Sequence, residues 1–69
     1  MLKVNGIKFI EVVDVLDEID VHDKEVEVLG YDNDGVEYSA VGMESDGNLV
    51  EIDEDTIEYI PIGIEIGAI

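Results

Sequence analysis

Three dipeptides constrain the fold of this chain more than anything else in it: Asn5-Gly6, Asp34-Gly35 and Asp46-Gly47. Asn-Gly and Asp-Gly favour tight hairpin turns, because both central residues of such a turn take φ > 0. Each pair lies between apolar alternations, so each predicts a hairpin. Ten Ile, ten Val, three Tyr, one Phe and one Thr lean the same way, toward strand. The expected fold class is mainly β: a small antiparallel meander or barrel of five to six short strands, in a single domain over residues 1–69.

Each turn fixes a register. A turn at Asn5-Gly6 sets Val4 opposite Ile7 and Leu2 opposite Phe9. A turn at Asp34-Gly35 sets Val28 opposite Val41, Val26 opposite Met43 and Tyr31 opposite Tyr38. A turn at Asp46-Gly47 sets Met43 opposite Val50 and Val41 opposite Ile52. The last two hairpins share a strand, and Val26, Val28, Val41, Met43, Val50 and Ile52 then form one apolar face.

Residues 9–20 read two ways. Phe9, Val12, Val13, Leu16 and Ile19 fit helical spacing, which gives an α+β alternative with one helix at about residues 8–20 packed on the sheet. Five β-branched residues and three Asp in that stretch make a poor helix. A strand with a bulge, turning at residues 21–24, is therefore preferred. In the last segment Ile60, Ile62, Ile64 and Ile66 alternate with Pro61, Gly63, Glu65 and Gly67. This strand is expected to close the sheet as a barrel. The alternative is a homodimer through residues 60–69, since Pro61 favours an edge and an Ile-rich edge can pair with a second copy.

Charge is the second constraint. Nineteen Asp and Glu against three Lys give a net charge of -16, beyond the magnitude of roughly 2 to 8 that suits a small soluble domain. Disorder does not follow. Leu, Ile, Val and Phe make up 25 of the 69 residues, well above the roughly 20% below which chains fail to collapse. Salt adaptation fits poorly with so undiluted an apolar complement. Self-repulsion should instead make the melting temperature rise with added salt and with mild acidification, as calorimetry from low to high salt would record.

Catalytic patterns fail in turn. There is no Cys and one His, so no Cys–His pair exists, and Ser39 and Ser45 have only His22 as a base. No glycine-rich phosphate loop appears, and there is no Arg to clamp phosphate. Aligning Gly35 or Gly47 with the glycine of an EF-hand loop leaves the first ligand position without a carboxylate. His22 reads as a loop histidine in a negative field, with no second histidine to share a metal. The chain is expected to be no enzyme, with no cofactor and no metal site. No signal peptide or membrane-length apolar run is legible, so no linker or targeting segment is expected and the location expected is cytoplasmic.

The registers gather Glu25, Glu27, Glu44, Glu51 and Asp53 on the face opposite the apolar one, with Tyr31 and Tyr38 at its far end. Like charges directly opposite each other cost a sheet stability, and no Lys is interleaved to relieve them. Such a surface steers basic partners and repels nucleic acid and anionic membranes. In size and charge the chain resembles small phage-encoded inhibitors of host defence, the anti-CRISPR and anti-restriction proteins. That resemblance implies an acidic nucleic-acid mimic occupying the basic groove of a nucleic-acid-binding protein or nuclease, in the host cytoplasm if phage-encoded. The alternative is a protein-interaction or assembly module, immunity-protein-like or structural. It would bind through Tyr31 and Tyr38 or the Ile-rich C-terminal strand, since aromatic anchors carry much interface energy.

Overall fold

The computed structural model describes residues 2–61. Five strands, β1 (Leu2–Val4), β2 (Ile7–Glu18), β3 (Asp23–Tyr31), β4 (Glu37–Ser45) and β5 (Asn48–Tyr59), form one antiparallel meander in chain order. The helical alternative for residues 8–20 is thereby overturned. The sheet curls until β1 approaches β5, but no ladder joins them among the described residues. Of residues 60–69, expected to close the barrel or to pair with a second copy, Ile60 and Pro61 follow β5 outside any strand, and residues 62–69 lie outside the described residues.

The curl makes a concave face that holds the core. Ile7, Phe9, Val26, Val28, Ala40 and Ile52 are buried there, with Leu2, Val4, Tyr38, Leu49 and Ile57 packed against them. Two glycines make this possible. Gly30 lies opposite Phe9 and Gly42 opposite Ile52. A Cβ on Gly30 would sit 2.6 Å from the Lys8 carbonyl oxygen and 2.8 Å from Phe9 Cδ1, and one on Gly42 would sit 2.7 Å from the Glu51 carbonyl oxygen. Each glycine leaves the space its large neighbour fills. Gly30→Ala should therefore cost about 1–3 kcal/mol, the usual cost of overpacking, measured by urea unfolding.

Two of the three hairpins match expectation at the turn. Asn5 (φ 52°) and Gly6 (φ 78°) both lie in the left-handed region, and Val4 pairs with Ile7 and Leu2 with Phe9. Asp46 (φ 51°) and Gly47 (φ 85°) do likewise, but Val50 is then extruded as a bulge, and Met43 meets Glu51 rather than Val50.

The middle hairpin differs. Only Gly35 (φ 80°) has positive φ, and the loop holds three residues between Asp32 and Val36. The cause is Asp32. Its Oδ1 accepts from the backbone N–H groups of Asp34 (2.8 Å) and Val36 (2.9 Å), and its carbonyl accepts from Gly35 N–H (3.1 Å). This is a turn closed by a left-handed glycine, with the aspartate side chain mimicking backbone. The odd loop shifts the register by one. Val28 meets Ala40, Val26 meets Gly42, and Gly30 meets Tyr38. Every β4 side chain changes face relative to expectation, so Val41 and Met43 leave the core and Ala40 and Gly42 enter it.

β2 is bulged three times. Ile10, Val13 and Leu16 have no partner of their own in β3, so β2 advances three residues for every two of its neighbour. Strict alternation would have mixed Asp14 with Val12 on one face and Val13 with Asp17 on the other. An extra residue at every third position instead puts Phe9, Val12 and Val15 on the concave side. Glu11, Asp14 and Asp17 then lie on the convex side. The near-helical spacing of the apolar residues is this period of three.

Candidate partner-binding face

The convex face is ordered in rows that cross β2, β3, β4 and β5. One row is Asp17, Glu25, Met43, Glu51; the next is Asp14, Glu27, Val41, Asp53; the next is Glu11, Leu29, Ser39, Glu58. Carboxylates flank a seam of Leu29, Val41 and Met43. A shallow depression among Glu25, Met43, Glu51 and Asp53 marks the centre. Neighbouring strands lie about 4.8 Å apart, and carboxylates two residues apart along a strand about 6.6 Å.

Four of the expected binding residues, Glu25, Glu27, Glu51 and Asp53, share this face. Glu44 does not: the shifted register places it on the concave side, between Lys24 and Leu49. The expected Glu25–Glu44 row is corrected to Glu25–Met43–Glu51. Sequence reasoning missed Glu11, Asp14, Asp17 and Glu58. The first three are legible as the acid of successive triplets Ile10-Glu11-Val12, Val13-Asp14-Val15 and Leu16-Asp17-Glu18. Glu58 is displaced from any simple register by the excursion of residues 54–57, which Thr56 pins. Its Oγ1 accepts from Val41 N–H (2.8 Å) and donates to the Asp53 carbonyl (2.6 Å).

The two tyrosines also separate. Tyr31 stays on the convex face, where its hydroxyl donates to Glu37 Oε2 at 2.8 Å. Tyr38 turns to the concave side, its hydroxyl donating to Asp32 Oδ2 (3.2 Å) and its ring edge-to-face with Tyr59 at 6.1 Å. They do not form one aromatic anchor. The Glu37 carboxylate, by hydrogen bond and charge, pushes the pKa of the Tyr31 hydroxyl above its ordinary value; that of Tyr38 is pushed up chiefly by burial, with Asp32 adding to it.

No lysine–carboxylate ion pair forms among the described residues. Lys3 and Lys8 pair with each other across β1 and β2 at the lower end. The one histidine–carboxylate contact among the described residues is remote from the face: His22 Nδ1 lies 2.7 Å from Asp46 Oδ1, joining the β2–β3 turn to the β4–β5 turn.

Asp32 is held below its ordinary 3.8, chiefly by the Val36 N–H, with partial desolvation opposing it and the Asp34, Tyr38 and Gly35 donors adding to it. A lowered folded pKa gives stability that is present above 3.8 and lost as pH falls through the folded value. The urea midpoint of Asp32→Ala should thus lie below that of the parent at pH 5, and the gap should shrink as pH drops below 3.8. No protein family, curated protein or solved structure matches this chain.

Proposed function

We propose that this chain is a binder rather than a catalyst, a nucleic-acid mimic that occupies the basic groove of a nucleic-acid-binding protein or nuclease and so inhibits it. The observation that carries this reading is the convex face. Carboxylates from β2, β3 and β5 converge on it, and no lysine among the described residues pairs with them. Asp17 lies directly opposite Glu25 and Asp14 opposite Glu27, an arrangement that costs a sheet stability. A basic partner offsets that cost on binding. Duplex DNA presents one charge per roughly 1.7 Å of axis, and a groove built to neutralise it carries dense Lys and Arg. The match to phosphate is in charge density, not in register.

The test is competition. Basic nucleases and repressors, each bound to a labelled DNA duplex, are titrated with the chain at several salt concentrations. Displacement of DNA is expected, weakening steeply between about 50 and 200 mM salt. Simultaneous binding of chain and DNA, or affinity flat across that range, overturns the reading.

A further inference from the structure

Beyond Phe9, where β1 ends, β2 has a strand on one side only among the described residues. Its three bulge residues are exposed there: Ile10 by 58%, Val13 by 42% and Leu16 by 47%. The intervening Val12 and Val15 are exposed by 40% and 46%, so this half of β2 carries an apolar surface that the core does not cover. The bulge residues form a ridge of large apolar side chains along an edge whose acids, Glu11, Asp14 and Asp17, alternate with them in the chain. A contiguous exposed apolar strip rimmed by charge marks an interaction surface.

We infer that this ridge is a docking site for a cationic amphipathic helix of a partner protein. Three features of the edge select that occupant. First, an extra residue at every third position breaks the even spacing of edge N–H and C=O groups, so an added strand has no regular ladder to join. Docking must be through side chains. Second, the interleaved carboxylates call for Lys or Arg beside the apolar contacts. A second copy, bringing its own -16 charge, would set acid against acid. Third, the ridge repeats every two residues of β3, about 6.6 Å, close to the 6.0 Å rise of about four helical residues. An apolar stripe at i, i+4 and i+8 follows it. The inference rests on the proposed function only in taking the partner to be basic. It adds that the partner presents a helix beside its basic groove.

Two synthetic helical peptides of equal charge serve as probes, one with Leu at i, i+4 and i+8 and Lys elsewhere, the other with Ala in place of Leu. The full chain should bind the Leu peptide at least about tenfold more tightly, equivalent to ~1.4 kcal/mol. Ile10→Ser, Val13→Ser and Leu16→Ser together should remove that preference and leave binding of the Ala peptide unchanged. Val50→Ser, at a comparably exposed apolar residue on β5, should leave the preference intact. Equal binding of both peptides overturns the inference, as does equal sensitivity to Val50→Ser. So does a preference that appears only after truncation at Pro61, which would make residues 62–69 the occupant. A dimer in sedimentation that the ridge substitutions dissociate would make it a second copy, again overturning the inference. Failure of the acidic-face reading is distinct: neither peptide would then bind with steep salt dependence.

Discussion

Phe9→Ala is expected to remove a large part of the chain's folding stability. Phe9 is fully buried and is the largest side chain in the core. It is also the cross-strand partner of both Leu2 and Gly30, so one ring ties β1 to β3 through β2. Removing such a ring typically costs about 3–5 kcal/mol. Native stability runs at roughly 0.05–0.15 kcal/mol per residue, or about 3–10 kcal/mol for a chain of 69. Loss and reserve are comparable. The gap over Gly30 has no Cβ to fill it, so collapse around the deletion is poor. Phe9→Leu keeps part of the cover and should remain folded with a lower urea midpoint. Far-UV circular dichroism with urea titration measures both, and a cost below about 1 kcal/mol for Phe9→Ala would relocate the core.

Glu25→Lys with Glu27→Lys should raise stability and abolish partner binding together. Each substitution turns a like-charge cross-strand pair, Asp17–Glu25 or Asp14–Glu27, into an opposite-charge one. The gain is about 0.2–1 kcal/mol per pair, visible as a rise in melting temperature at low salt that narrows at high salt. Against a basic groove the same lysines meet like charge, which costs several kcal/mol, so affinity should fall at least ~100-fold. A merely solvated face would give the first effect without the second. The opposite signs separate a face kept for binding from one kept for folding.

How much of this was legible depended on where local turn chemistry stood alone. Asn5-Gly6 and Asp46-Gly47 closed the hairpins their residues predicted. Asp34-Gly35 looked equivalent, but the carboxylate two positions earlier recruited the N–H groups of Asp34 and Val36 and made the loop odd. One residue of register then exchanged the faces of β4. Apolarity could not warn of this, because Val41 and Met43 are the larger side chains. Core membership followed space: Ala40 and Gly42 fit under the curl where larger residues do not. The same shift took Glu44 and Tyr38 from the binding face. In β2, a period of three falls between the strand's two and the helix's 3.6, so neither template could place Asp14 and Asp17. β3, with no bulge and strict alternation, has the faces expected of it from Glu25 to Tyr31, although Asp23 and Lys24, expected in the preceding turn, belong to the strand.

The bulges of β2 also set the unit in which this molecule can change size. A three-residue insertion of apolar, acidic and valine type in β2, matched by two residues in β3, lengthens the edge by one rung. It does so without turning any side chain over. A two-residue insertion in β2 would break the triplet frame and turn the following valines to the convex, acidic face. In this strand, lengthening is coded in threes.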